Sequence, residues 1–348
     1  MEAFDRRDIE TLYRHIGEAE TITVTVHTHP DGDAIGSGTA MVSYLASVGK
    51  DAVLVFPDAY PSTLEFLVTG DMEKRIIVAE NSKEAAEKRI RSSDMIICLD
   101  FNSFSRAGDL EECLADAQGE KILIDHHIGP DRECFSLCFS ETETSSTAEL
   151  LYGILMELPG ICHDAGKLPP ETATALMTGM TTDTNNFANS VFPSTLAMAS
   201  ALLDAGVDRD LILDRIFNGY NESRIRLMGY LLDRCLRITD DGVAYMILGR
   251  KTIMKFGIQD GDTEGFVNIP LSVRNVRMSI FLKQDKDRFR VSIRSKKGTS
   301  ANLCAKEFFN GGGHELASGG KLMIPDDVRN ITEAAAYIER VTHIFLNR

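Results

Sequence analysis

Short apolar runs alternate with stretches of helical periodicity through the first half of the chain. Residues 21–26 (Thr-Ile-Thr-Val-Thr-Val) read as a strand, followed by an Ala-, Met- and Leu-rich helix over 34–48 and a second strand over 52–56. Residues 95–99 and 121–124 are almost wholly apolar, as strands of a parallel sheet buried on both faces should be. Helical patterns occupy 82–91, 109–117, 146–157 and 171–178. Strand, loop and helix in alternation predict a doubly wound, mainly parallel α/β domain over residues 1–192. Residues 193–240 read as a helical connector, with helices over 194–205, 208–217 and 222–236. From 241 to 348 a smaller α/β domain is predicted. Its strands are 243–248, 276–283 and 288–294, the last two a hairpin turning near 285–287, and its helices are 301–309 and 331–345.

Composition narrows the class. Of 348 residues, 43% are hydrophobic and 26% charged, which excludes a disordered chain. No apolar run approaches the ~20 residues of a membrane helix, and the charged N-terminus has no apolar core for a signal peptide, so a cytoplasmic protein is expected. The net charge of −15 argues against a protein that grips long duplex nucleic acid. The seven cysteines are odd in number and form no C-x-x-C pair, which excludes a disulfide framework or zinc ribbon.

The chemistry gathers where strands end. His27-Thr28-His29-Pro30-Asp31-Gly32-Asp33 follows the first strand, Asp100 follows 95–99, Asp125-His126-His127 follows 121–124, and Thr182-Asp183-Thr184 ends an apolar helix. Ligands of doubly wound sheets collect beyond the carboxyl ends of the strands. Taken alone, Asp100 reads as a helix cap or turn residue. Gathered, Asp31, Asp33, Asp100 and Asp183 would repel one another unless cations sit among them. Two divalent ions would balance their four charges, and a carboxylate-rich site with some imidazole suits Mn²⁺ or Mg²⁺. Paired divalent ions are a device of phosphate-ester chemistry. Near the C-terminus, Gly311-Gly312-Gly313-His314 opens a run of small residues to Gly320, and consecutive glycines let backbone N–H groups approach a phosphate, with a helix start nearby to add its dipole. Seven basic residues lie between 283 and 297, against Asp285 and Asp287.

H-x-x-x-D-x-D, a strand-terminal Asp, D-H-H and T-D-T, in this order, resemble the DHH phosphoesterase family. The Gly-Gly-Gly-His segment resembles the signature of the DHH-associated C-terminal domain, with Ala317-Ser318 a mild departure from the two Ala more usual there. The resemblance covers nearly the whole chain. It implies that His27 and Asp31 hold a first metal, Asp33 and His126 a second, that Asp100 bridges them and that Asp183 completes the site. It implies that Asp125 orients the histidine pair, that His127 faces the substrate phosphate, and that the C-terminal domain binds substrate and closes over the metals. Asp100, His127 and Asp125 are thus the expected catalytic group. Ser292-Ile293-Arg294-Ser295 resembles the family's S-x-R-S element, so Arg294, Ser295, Gly311, Gly312, Gly313 and His314 are the expected substrate-binding residues. Arg106 is a second candidate for the phosphate, with a surface arginine opening a helix as the equally simple reading. His29 matches no family role.

Among the family's activities, the two-domain layout resembles the oligoribonuclease/pAp phosphatase group. Short RNA oligonucleotides and pAp-type nucleotides are the expected partners, without long duplexes or membranes. The oligomeric state stays open, a homodimer included. A cyclic- or linear-dinucleotide phosphodiesterase and a RecJ-like single-strand exonuclease are the alternatives. A nonenzymatic nucleotide sensor would lack metal ligands, and here every expected position is filled.

Overall fold

The computed structural model describes residues 4–218, 221–259 and 261–348. It divides into two units, Met1–Gly219 and Tyr220–Arg348. In the first, the strands are β1 (Thr21–Thr25), β2 (Asp51–Phe56), β3 (Ile76–Val78), β4 (Met95–Leu99), β5 (Glu120–Asp125) and β6 (Leu137–Ser140). They form one sheet in the order β3-β2-β1-β4-β5-β6, every neighbouring pair parallel. Strand order reverses between β1 and β4, and such a switch point is where doubly wound sheets bind ligands. β1 and β4 pair through Thr25 and Cys98, so their ends present His27 and Asp100 side by side.

The helices are α1 (Arg6–Glu18), α2 (Gly32–Ser47), α3 (Lys83–Arg91), α4 (Glu111–Asp116), α5 (Thr147–Glu157), α6 (Pro170–Asp183), α7 (Pro193–Asp204) and α8 (Arg209–Leu213). One core joins α1, α2, α5 and α6 to one sheet face through Ile22, Val24, Leu54, Ile97 and Ile124. Ile96, Cys98 and Leu123 meet Ile90, Leu110 and Leu114 on the other face. β3, β6 and α1 carry too little pattern to be read from sequence. β3 is three half-buried residues and β6 four alternating ones, while α1 buries only Ile9, Leu12 and Ile16. The predicted helix 109–117 is a 3₁₀ segment, Phe104–Leu110, running into the short α4. α6 runs five residues past the predicted end at 178, because its C-terminal half packs against α2.

That crossing depends on small residues. A Cβ on Gly36 would lie 2.7 Å from the Ala175 carbonyl oxygen and 2.7 Å from the Gly179 nitrogen, and one on Gly32 would lie 2.3 Å from the Thr182 side chain. The two helices can touch backbone to backbone only without those methyls, and the contact brings Asp33 in the first turn of α2 toward Asp183 at the end of α6.

The helices read as a connector divide between the units. Met198, Leu202, Ile212 and Ile216 are buried in the first core. Leu227 and Leu231, beginning with α9 (Glu222–Tyr230), are buried in the second unit. The second unit adds β7 (Arg237–Ile238), β8 (Val243–Leu248), α10 (Arg250–Phe256), β9 (Met278–Gln284), β10 (Arg288–Ser295), α11 (Ala301–Phe308), β11 (Gly312–Gly313), β12 (Ala317–Met323) and α12 (Ile331–Leu346). Its sheet has the order β11-β12-β10-β9-β8-β7, with β8 and β9 parallel and the other pairs antiparallel. Phe289, Val291 and Ile293 face the core under α11 and α12, so Arg290, Ser292 and Arg294 alternate onto the opposite face.

A methyl at Gly36 tests the crossing. Gly36→Ala should destabilise the first unit by about 1–3 kcal/mol, since overpacking outweighs the better helix propensity. Gly17→Ala in α1, where a Cβ would meet nothing within 4 Å, should be neutral or stabilising. Urea unfolding followed by circular dichroism measures both.

Candidate metal centre at the carboxyl edge of the parallel sheet

Each group reaches the site from a different element. His27 and Asp31 lie between β1 and α2, Asp33 lies in the first turn of α2, and Asp100 follows β4 at a φ of 65°. Asp125 ends β5, and His126 and His127 follow it. Asp183 ends α6. The structure brings all of them together. Three groups of potential ligands, His27/Asp31/Asp100, Asp33/Asp100/His126 and Asp100/Asp125/His127, each keep their donor atoms within 4.8 Å. Asp100 is common to all three.

The Asp100 carboxylate divides its oxygens. Oδ2 lies 3.4 Å from His27 Nε2. Oδ1 lies 3.6 Å from His126 Nε2 and 3.7 Å from His127 Nδ1. His126 Nε2 is also 3.4 Å from Asp183 Oδ2 and 3.9 Å from Asp33 Oδ2. His27 Nδ1 is 2.8 Å from the Thr28 carbonyl oxygen. A carbonyl only accepts, so Nδ1 carries a proton and Nε2 is the nitrogen left to face Asp100. His127 Nδ1 sits 2.7 Å from Asp125 Oδ1, which leaves Nε2 as the ring's other face. Asp125 thus orients His127. His126 is held edge-on against that ring, with centroids 5.0 Å apart. Asp125 Oδ2 is buried without a hydrogen-bond partner among the described residues.

Two of the carboxylates also serve backbone N–H groups. Asp31 caps α2, its Oδ1 accepting from Asp33 N and Ala34 N. Asp33 is buried, and its oxygens accept from Thr147 N (2.6 Å) and Ala148 N (2.9 Å) at the start of α5. The Thr147 hydroxyl lies 2.9 Å from Asp100 Oδ1. Sequence reading missed this contribution from α5. The available signal was Ser146-Thr147-Ala148-Glu149, a helix start whose cap Ser146 accepts from Glu149 N.

Electrostatics follow from this packing. Burial, with the charges of Asp100, Asp183 and Asp31, raises the Asp33 carboxyl well above the usual carboxylate range, against the Ala148 N–H. Burial alone would also raise Asp100, but His27, with His127 and His126, holds it below that range. Burial would lower His27, yet its N–H donating to the Asp100 carboxylate and the charges of Asp31 and Asp100 push it up to about 9. Burial lowers His126, with Asp100 opposing. A buried carboxylate cluster that protonates one member for want of positive charge fits divalent cations, and its mix of carboxylate and imidazole suits the hard to borderline ones.

The remaining predicted residues have clear surroundings. His29, at a φ of 53°, is held by Asp58, whose Oδ2 accepts from His29 N at 2.7 Å and lies 3.5 Å from Nδ1. The Arg106 carbonyl accepts from Thr28 N at 2.8 Å, which ties the loop after β4 to the loop after β1. In the second unit, Arg294 lies in β10 opposite Ala317 of β12. Ser295 is buried and its hydroxyl donates to the Thr299 carbonyl at 2.6 Å. The glycine segment is a hairpin, with Gly312 opposite Gly319 and Gly313 opposite Ser318, closed by His314 N donating to the Ala317 carbonyl at 2.8 Å. As expected from sequence, a helix starts beside it: at the start of α11, Ala301 N donates to the Glu315 carbonyl at 2.8 Å and the Ser300 hydroxyl to the Glu315 carboxylate at 2.9 Å. Strand β12 follows it, and Gly311 N donates to the Ala305 carbonyl in the C-terminal half of α11. A Cβ on Gly311 would lie 1.9 Å from the Gly319 carbonyl oxygen, so close strand approach already requires that glycine.

A model of the DHH family N-terminal domain matches residues 21–180, and one of the DHHA1 domain matches residues 240–340. The bifunctional oligoribonuclease and PAP phosphatase NrnA of Thermus thermophilus is 31% identical over 306 residues, covering 86% of this chain and 84% of that protein. The protein of the same name from Bacillus subtilis is 26% identical over 328 residues, covering 92% and 95%. The crystal structure of an exopolyphosphatase-related protein from Bacteroides fragilis superposes with a TM-score of 0.91 at 34% identity, covering 99% of this chain and 98% of that one. Similarity of this length and degree, together with His and Asp side chains gathered around one shared carboxylate, establishes that the chain belongs to the DHH family of phosphoesterases.

Proposed function

We propose that this chain is a divalent-metal-dependent phosphoesterase that shortens oligoribonucleotides of a few residues and converts pAp to AMP. The observation that carries the reading is the division of Asp100, one oxygen toward His27 and the other toward His126. His27 and Asp31 would hold one ion, Asp33, His126 and Asp183 a second, and Asp100 both. Mn²⁺ fits this donor set, as does Mg²⁺. Two such ions supply acidification of water and charge neutralisation at a phosphoryl group. The substrate class comes from the relatives named as oligoribonucleases and PAP phosphatases.

The chain's own residues then do the following. Asp125 holds the His127 ring so that its Nε2 meets a phosphoryl oxygen. Arg106 adds a second positive contact from the loop after Asp100. In the second unit, Arg294, His314 and the backbone of Gly311–Gly313 bind a phosphate that does not react, while Ser295 keeps the turn after β10 in place through Thr299. Binding energy from that remote phosphate positions the ester. One reaction covers both substrates: water attacks phosphorus and the 3′-oxygen of a 5′-phosphorylated nucleotide leaves. The test is to incubate the Mn²⁺-loaded protein with pAp, a dinucleotide, a long RNA and a cyclic dinucleotide, and to identify the products. Exclusive turnover of the cyclic dinucleotide would overturn the reading.

Asp100→Asn and Asp183→Asn should each lower hydrolysis by more than the roughly 10–100-fold that loss of an outer partner costs. Their metal-free stabilities should part. Asp183→Asn removes a charge that raises Asp33, and its melting temperature should hold or rise. Asp100→Asn removes the partner of His27, and its melting temperature should fall. Turnover and metal-free thermal melts measure the pair.

His314→Ala and Arg294→Ala should leave metal binding unchanged. Each loses a hydrogen bond to a charged phosphate worth about 1.5–3 kcal/mol, or roughly 10–150-fold in kcat/KM on pAp. The loss should be small on bis-p-nitrophenyl phosphate, which has no second phosphate to hold.

The salt dependence of kcat/KM should be shallow and short RNA preferred, since few phosphates are contacted and few counterions released. Rates against RNA length and salt concentration check this. Steeper salt slopes with rising rates on long strands would point to a RecJ-like exonuclease.

A further inference from the structure

Asp100 needs an external restraint. It sits at a φ of 65°, where a non-glycine residue is strained, and its carboxylate is 2% exposed. The imidazole nitrogens around it lie 3.4–3.7 Å away, at or beyond the outer limit of a hydrogen bond. The Thr147 hydroxyl, at 2.9 Å from Oδ1, is well inside that limit. An ionised carboxylate only accepts, so the hydroxyl donates to it and leaves a second lone-pair direction on Oδ1 for a cation.

Thr147 is itself fixed. It is fully buried, and its N–H donates to Asp33 Oδ2. Ser146 caps the helix start by accepting from Glu149 N. The Glu149 carboxylate accepts from Ser145 N at 3.0 Å and from the Thr195 hydroxyl at 2.6 Å, tying the start of α5 to the start of α7. One residue at a pinned helix start therefore touches both Asp33 and Asp100.

We propose that Thr147 is a positioning residue that holds Asp100 as a carboxylate shared between two cation sites, Oδ1 serving the Asp33/His126 side and Oδ2 the His27/Asp31 side. The proposal rests on the metal reading of the site. Without the hydroxyl, the carboxylate can turn about its side-chain bonds and present both oxygens to one side. Loss of Thr147's oxygen should therefore weaken one cation much more than the other.

The experiment titrates the metal-free full chain with Mn²⁺ by calorimetry and records the electron paramagnetic resonance spectrum of the loaded protein. Wild type should take up two ions whose spins are coupled through the shared carboxylate. Thr147→Val should weaken one of the two steps by about 10–100-fold, the range for loss of a ligand's hydrogen-bond partner, and yield single-ion spectra. Thr147→Ser, which keeps the hydroxyl, should restore the tight second step and the coupled signal. Thr147→Ala carries the same test if the valine variant does not fold, as judged by metal-free melting. A valine or alanine variant that binds two coupled ions as tightly as wild type overturns the proposal, as does a serine variant no better than either. Wild type that takes up no Mn²⁺ overturns the metal reading itself, an outcome distinct from an unchanged variant.

Discussion

Negative charge buried at one end of the parallel sheet is the constraint on which the rest of this chain depends. Asp33 and Asp100 are almost wholly removed from solvent, and Asp31 and Asp183 stand beside them. Such a cluster persists only where each charge has a donor or a cation. The fold provides donors from three directions. The start of α2 is capped by Asp31, the start of α5 gives two N–H groups to Asp33, and the histidines after β1 and β5 surround Asp100. Asp33 is nevertheless driven toward its protonated form, so the protein scaffold alone leaves the cluster short of positive charge.

Two structural devices make the clustering feasible. The order β3-β2-β1-β4-β5-β6 sets the ends of β1, β4 and β5 next to one another, which brings three segments far apart in sequence to one edge. The glycine-lined contact between α2 and α6 then brings in Asp183, whose own helix neither joins the sheet nor follows a strand directly. Gly32 and Gly36 act on the site through distance alone. The second unit uses small residues in a similar way, with Gly311 allowing β11 and β12 to close a hairpin around His314.

Parts of this arrangement are legible in the chain. β1, β4 and β5 are read almost to the residue, because strands buried on both faces must be continuous apolar runs. Apart from Asp183, which ends a helix, the His and Asp side chains of the site follow those runs, so the spacing from a strand end locates them. The outer strands β3 and β6 escape notice because each has one partner strand and a half-exposed face, which demands little of its sequence. β12 escapes because its Ala-Ser-Gly-Gly run lacks the β-branched residues that usually mark a strand. His29 follows the same strand as His27, but the H-x-x-x-D-x-D spacing selects His27, and the structure shows what holds His29: a positive φ and the Asp58 carboxylate.

The sequence by itself determined the fold class, the two-part organisation and the residue types that converge, since burial pattern and strand-end chemistry are properties of local sequence. Tertiary structure decided how those residues share their atoms. Which oxygen of Asp100 faces which imidazole, which histidine Asp125 orients, and that Thr147 and Ala148 serve Asp33 through their backbone N–H groups are invisible along the chain. Every residue but proline carries an N–H group, so sequence cannot mark the two that matter. Only packing of the α5 start against the end of the sheet selects them.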